Sequence, residues 1–269
     1  GMSLGEKVKY LRKRLNLTQQ ELAGDNFTKS FVSQIEKNEA NPSLKSLHII
    51  AARLGKPVSF FLDEHQGVDD LEISPRVDQL NMTGQAYARK KNWVKAIDSY
   101  NEALTLCSST DFHRRGVSLY NLGVALWHNN EIHKAITQLE AASKEFHLAQ
   151  DITNLVITHN LLGVLNAELG QWDQSVADLQ QALHLLENKE SDEQYLQLRI
   201  LTNLGLGLCH LEKYEEAEKY LDQALTLSKE TTDYFKFGDL QMALAFIYQN
   251  KGMLQEALKA TENALRFIQ

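Results

Sequence analysis

Between Leu4 and Leu62, apolar residues recur at helical spacing in short runs, each closed by a polar or proline-bearing break. Leu4, Val8, Leu11 and Leu15 form one stripe, with Lys7, Lys9, Arg12, Lys13 and Arg14 off it, the period of an amphipathic helix. Thr18 then opens a second helix as its N-cap, and Glu21, three residues on, completes a capping box. A third helix follows Thr28. Ser43 caps a fourth, whose stripe is Leu44, Leu47, Ala51 and Leu54 and which ends at Gly55-Lys56-Pro57. Val58, Phe61 and Leu62 close a fifth, so the pattern predicts a five-helix unit over residues 1–66.

After a polar stretch, "DEHQGVDD", and Glu72-Ile73-Ser74-Pro75, the chain changes character; residues 67–73 are expected to be a hinge. From Arg76 to Gln269 there is no proline, which predicts a long all-helical region over 74–269. That region repeats itself. Gly84, Gly123, Gly163, Gly205 and Ala245 mark equivalent positions 39, 40, 42 and 40 residues apart. Twelve after each mark is a small residue (Ala96, Ala135, Ser175, Ala217, Ala257), and nineteen after it an alanine (Ala103, Ala142, Ala182, Ala224, Ala264). Nine after it is an apolar residue expected to open the second helix of each pair: Trp93, Ile132, Trp172, Tyr214 and Leu254. Twelve before it is an acid suited to a helix N-terminus: Glu72, Asp111, Asp151, Glu193 and Asp233. Small residues let paired helices approach closely.

Placed on a wheel at about 100° per residue, Lys29, Ser30, Ser33, Gln34 and Lys37 of the third helix share one sector, and Phe31, Val32 and Ile35 share the opposite one. The polar set is either a solvated face or a reading face. Its lack of any carboxylate favours the second, because Lys and Gln contact phosphates and base edges in the major groove. Charge sharpens the point. Residues 1–62 carry a net +5 and the rest −12, in a chain of net −7. A small basic head, suited to a polyanion, precedes a body that a polyanion repels.

These residues support three resemblances. Residues 4–62, with "LTQQELA", "TKSFVSQIE" and "NPSLKSLHIIAARLGKPVSFFL", resemble the phage-repressor type of helix-turn-helix domain, although "AGDNFT" departs from its usual turn. The resemblance implies double-stranded DNA as partner, with contacts from Gln19, Thr28, Lys29, Ser30, Ser33, Gln34 and Lys37. The later units, such as "YNLGVALWHNNEIHKAITQLEAA", resemble tetratricopeptide repeats, which implies a right-handed α-solenoid of five helix pairs whose first helices line a concave groove. Carried onto this chain, that lining includes Asn81, Gln85, Tyr120, Asn121, Trp127, Asn160, Arg199 and Asn203.

The asparagines stand out, because Asn inside a helix costs roughly 0.7 kcal/mol against Ala. Binding the backbone of an extended peptide would offset this, as would capping, local back-bonding or a helix-helix contact. A repressor-type head on five repeats resembles, finally, the RRNPP family of peptide-responsive regulators of Firmicutes. That layout implies a cytoplasmic, bacterial transcription regulator, homodimeric, with a short peptide or protein segment in its groove. Two alternatives stay open: a protein-docking scaffold, or a modulator of phosphorelay proteins, with the head as a docking module.

Other classes lack support. No apolar run approaches the roughly 18 residues of a membrane span. Gly1 before Met2 reads as an expression scar. Cys107 and Cys209 stand far apart without a metal-binding pattern, as buried bystanders would. There is no Gly-rich phosphate loop, no HExxH and no nucleophile elbow, so neither catalysis, a cofactor nor a metal is expected. The fold class expected is all-α.

Overall fold

The computed structural model describes residues 2–62, 68–187, 193–231 and 237–266, and their regular structure is helical throughout. They fall into two compact units, residues 1–78 and 79–269.

In the first unit, α1 (Leu4–Arg14), α2 (Gln19–Ala23), α3 (Lys29–Glu36), α4 (Leu44–Arg53) and α5 (Val58–Leu62) enclose a core of Val8, Leu11, Leu22, Val32, Ile35, Leu47, Ile50, Phe60 and Phe61. The caps fall where the sequence places them: Thr18 and Glu21 form a reciprocal capping box, and Thr28 and Ser43 accept from Phe31 N–H and Ser46 N–H. Ser3 and Glu6 form a further box that the reading above did not include. Three stripe positions are corrected. Leu15 and Leu44 are 49% and 61% exposed, and Leu62 is exposed while Phe60 beside it is buried. Lys7, off the apolar stripe, lies inside at 1% exposure. Its ammonium donates to Phe60 O at 2.9 Å and sits over the Phe60 ring, so α1 and α5 are pinned by a buried charge with a polar partner.

The remaining helices are α6 (Val68–Arg89), α7 (Trp93–Leu106), α8 (Phe112–His128), α9 (Ile132–Leu148), α10 (Ile152–Glu168), α11 (Trp172–Glu187), α12 (Gln194–His210), α13 (Tyr214–Thr231), α14 (Phe237–Asn250) and α15 (Leu254–Leu265). The expected hinge is corrected in part: residues 68–73 and Pro75 are helical, within α6, and residues 63–67 lie outside the described residues. Glu72 is therefore in the second turn of α6, not at its start. Asp111 and Asp151 are N-caps that accept from Arg114 N–H and Asn154 N–H; Glu193 is an N-cap whose side chain does not cap α12, and Asp233 lies outside the described residues.

The repeat register holds at every pair. Trp93, Ile132, Trp172, Tyr214 and Leu254 are each the first residue of a second helix. The glycine marks are close-approach sites. A Cβ on Gly84, Gly123, Gly163 or Gly205 would lie 2.4–2.7 Å from the side chain sixteen residues on, Tyr100, Leu139, Leu179 or Leu221. The fifth pair inverts this solution, with Ala245 at the mark and the smaller Thr261 sixteen residues later. Neighbouring pairs are also stitched by aromatics: Trp93 stacks on His128 (4.6 Å) and Trp172 on His210 (3.8 Å). Both cysteines are buried, and burial pushes each thiol up to about 11, as inert core residues require.

Candidate functional site

The polar face of the third helix is built by what holds its other face. Val32 and Ile35 are fully buried, and Glu36 beside them is 7% exposed. Arg12 of α1 grips the Glu36 carboxylate through Nε and Nη2, the latter at 3.1 Å, and the Gln19 amide of α2 donates to it at 2.9 Å. Burial works to raise the Glu36 pKa, but the hydrogen bonds from Arg12 and Gln19 prevail and hold the carboxyl below its usual range. One carboxylate thus locks α1, α2 and α3 together. At the end of α3, Asn38 accepts from Gly5 N–H at 3.0 Å, and a Cβ on Gly5 would meet Ile35 O at 2.2 Å.

The turn between α2 and α3 has its own brace. Gly24 ends α2 at φ +52°, and the Arg53 guanidinium donates to Leu22 O (2.8 Å), to Ala23 O (2.7 Å) and to Asn26 Oδ1. Arg53 therefore does for this atypical turn what local sequence alone does not. Lys29, Ser30, Gln34 and Lys37 are exposed and Ser33 is half-exposed, all on the side of α3 away from the core. Thr28 is exposed but spends its hydroxyl oxygen on the α3 cap. Gln19 is half-buried, with its amide nitrogen committed to Glu36. Arg12, Glu36 and Arg53 are supports that the sequence does not reveal, because their partners lie 17 to 31 residues away.

In the repeats, the structure separates the groove candidates. Asn81 is 6% exposed; its amide donates to Ser118 Oγ at 2.8 Å and its carbonyl lies 3.5 Å from the Asn121 amide. This corrects the groove assignment of Asn81, which is a helix-helix contact, the alternative offset for a helical asparagine. Trp127 gives its indole N–H to Glu168 Oε2 at 3.0 Å, so the ring remains but the donor is taken. Gln85 and Asn121 come together in a recess of about 250 Å³, which Arg89, Trp93 and Tyr100 also line. Burial pushes the Tyr120 phenol up, and the Arg199 charge acts against it. Asn160 and Asn203 are half-exposed, and Asn160 Oδ1 is a buried oxygen with no hydrogen-bond partner among the described residues. An unmet acceptor of that kind is costly in a folded protein, about 1–3 kcal/mol.

Comparisons with known proteins agree with this layout. Residues 8–61 match the helix-turn-helix family, and residues 79–144 and 154–230 match the tetratricopeptide repeat family, together more than half of the chain for the repeats alone. An immunity repressor protein of Bacillus phage phi105 is 27% identical over an alignment of 119 residues that covers 38% of this chain and 83% of the repressor. The regulatory protein RapG of Bacillus subtilis is 28% identical over 108 residues, 40% of this chain and 29% of RapG, so this chain spans under a third of that protein. The crystal structure of Bacillus thuringiensis PlcR, solved with the peptide PapR7 and DNA, aligns over 100% of this chain and 96% of its own, at a TM-score of 0.52 and 20% identity. At that identity the likeness shows a shared fold. This chain belongs to the tetratricopeptide repeat family, and the domain ahead of its repeats matches the helix-turn-helix family.

Proposed function

We propose that the chain is a sequence-specific DNA-binding transcription regulator that works as a homodimer and takes a short peptide or protein segment in its repeat groove. The observation that carries the reading is the exposed, carboxylate-free face of α3, held rigid from behind by Glu36, on the same chain as a repeat groove. Lys29, Ser30, Ser33, Gln34 and Lys37 then face the major groove, Thr28 sets the start of α3, and Gln19 works chiefly through Glu36. Gln85, Asn121, Asn160 and Asn203 meet the backbone of the ligand, Arg199 its acidic group, and Tyr120 and the Trp127 ring supply apolar contact. PlcR, which shares the fold over its whole length, was solved with a peptide and DNA, and this supports both partners. The repressor match supports the first. Both matched families are regulator and scaffold types, which supports a non-enzymatic role. Among the described residues no helix is long and apolar enough to cross a membrane.

Pairing has a candidate surface in α15, where Leu254, Leu258 and Leu265 are 69%, 61% and 57% exposed. Two heads are needed because one reads about three base pairs at about 1–3 kcal/mol each, against the roughly 4–10 kcal/mol that separates specific from non-specific binding. The test is footprinting followed by salt titration. Gln34→Ala should lose about 1–3 kcal/mol of discrimination at one base position, and Lys37→Ala should weaken all sequences and lower the salt slope by about one. Equal loss on specific and random DNA for both variants refutes the α3 assignment. Peptide and operator must also change each other's affinity by the same factor. A second reading, modulation of phosphorelay proteins, draws on the RapG match; a phosphoryl-transfer assay with and without the chain distinguishes it.

A further inference from the structure

The third repeat departs from the others at three positions that the groove does not use. Four residues before the mark, where the other repeats have Leu80, Leu119, Leu201 and Gln241, it has His159. Three after the mark, where they have Tyr87, Leu126, Leu208 and Tyr248, it has Asn166. Fifteen after, where they have Ser99, Gln138, Tyr220 and Ala260, it has Asp178.

The three converge. Asp178 is 8% exposed; its Oδ2 accepts from the Asn166 amide at 3.0 Å and the Gln174 amide at 3.2 Å, and its Oδ1 lies 3.3 Å from His159 Nδ1. A buried carboxylate, with a histidine and an asparagine where other repeats have Leu119 and Leu126 or Leu201 and Leu208, packs less well than apolar side chains even when satisfied, so the arrangement calls for a role besides holding the repeat together. What it achieves is to fix an imidazole. With Nδ1 against a carboxylate, Nε2 is the nitrogen left for a ligand.

His159 lines a recess of about 420 Å³ between α9, α10 and α11, together with Lys144, His147, Leu148 and Leu155. That volume is within the range of small-molecule sites, about 300–1,000 Å³. None of the lining residues is acidic, although residues 63–269 carry a net −12. The side chains of Lys144 and His147 make no ion pair or hydrogen bond with any described residue. Leu148, beside them, is 58% exposed. The recess is thus cationic at one side and apolar at the other.

We propose that this recess is a binding site for a carboxylate that carries a short apolar chain. The carboxylate meets Lys144, His147 and His159, and the chain covers Leu148 and Leu155. Two sources share that chemistry, a free short-chain acid and the C-terminus of a peptide ending in an apolar residue. The site is separate from the groove and does not rest on the reading given for it.

Calorimetry on the full chain tests this with four probes: hexanoate, N-acetyl-leucine, N-acetyl-leucinamide and inorganic phosphate. Binding of hexanoate alone points to a free acid, and binding of N-acetyl-leucine alone or of both to a peptide terminus; each supports the site. The neutral amide should not bind, and phosphate should bind more weakly because it leaves the leucines uncovered. The double variant His159→Leu with Asp178→Gln installs the pair that the second repeat already has, Leu119 and Gln138, and the new glutamine keeps an acceptor for the buried Asn166 amide. It should lose roughly tenfold or more in affinity, the scale of one charge-assisted hydrogen bond. Lys144→Gln, at an exposed position, should weaken binding by a similar factor without touching the core. The proposal is overturned if no acid binds, if the amide or phosphate binds as tightly as the acids, or if folded Lys144→Gln binds them unchanged.

Discussion

Replacing Arg53 by Met removes the brace on the turn between α2 and α3 while keeping a chain of similar reach. Arg53 lies on α4, outside the proposed DNA-reading face of α3, yet it makes two hydrogen bonds to the last carbonyls of α2, one to Asn26, and a cation-π contact with Phe27 at 5.9 Å. Hydrogen bonds from a charged donor contribute about 1.5–3 kcal/mol each, and an exposed cation-π contact about 0.5–1 kcal/mol. Arg53 is only half-buried, and water replaces part of what is lost, so a local cost of about 2–3 kcal/mol is expected. At about 1.4 kcal/mol per factor of ten, the turn should open roughly 30- to 150-fold more often. Hydrogen exchange at Gly24 and Phe27, whose amides bond to Gln20 O and Ala23 O, reads that opening directly. Operator affinity should fall with it, because α3 enters from this turn. Arg53→Lys retains the charge but not the planar fork that reaches three acceptors, and should recover little. Unchanged exchange in Arg53→Met, or full recovery by lysine, would refute the reasoning.

The Glu36 carboxyl is held below its ordinary value of 4.5, so its contribution to stability is complete above that pH and fades as pH falls through the lowered folded-state value. Glu36→Gln should therefore flatten the acid limb of the stability profile of the head below about pH 4.5, as followed by thermal melting; a profile parallel to wild type argues against the lock. Gly163→Ala sets a Cβ 2.5 Å from Leu179 Cγ, a clash worth about 1–3 kcal/mol that helix propensity offsets by about 0.8–1 kcal/mol, so urea unfolding should show a small net loss. Adding Leu179→Thr copies the Ala245 and Thr261 pair of the fifth repeat and should couple favourably by about 0.5 kcal/mol or more; strict additivity contradicts the close-approach account. Leu258→Asp on α15 should convert a dimer to monomer by light scattering, and a wild type that is monomeric both free and on DNA ends the pairing proposal.

Much of the fold could be read in the sequence because it is written in local patterns. The five marks, the aromatic or aliphatic residue opening each second helix, and the caps at Thr18, Thr28, Ser43, Asp111 and Asp151 all depend on neighbours within a turn or on a repeated interval. The polar face of α3 was legible for the same reason: a helix of known phase leaves no choice about which residues share a side. Pro75 shows the limit of such rules, since a residue that usually stops a helix lies inside α6.

What only the tertiary structure decided is where polar groups find their partners. Lys7 looked like a surface lysine until α5 brought the Phe60 carbonyl to it, 53 residues away. Asn81 and Asn160 occupy the same position three residues before their marks, yet Ser118 satisfies Asn81, 37 residues away, and no described residue satisfies the Asn160 oxygen. Arg53 and Asp178 carry no motif at all. Helix periodicity follows from the backbone geometry of one segment, so the sequence of that segment suffices to predict it. A buried hydrogen bond depends on which two segments pack and at what depth, and that is fixed by the whole core at once.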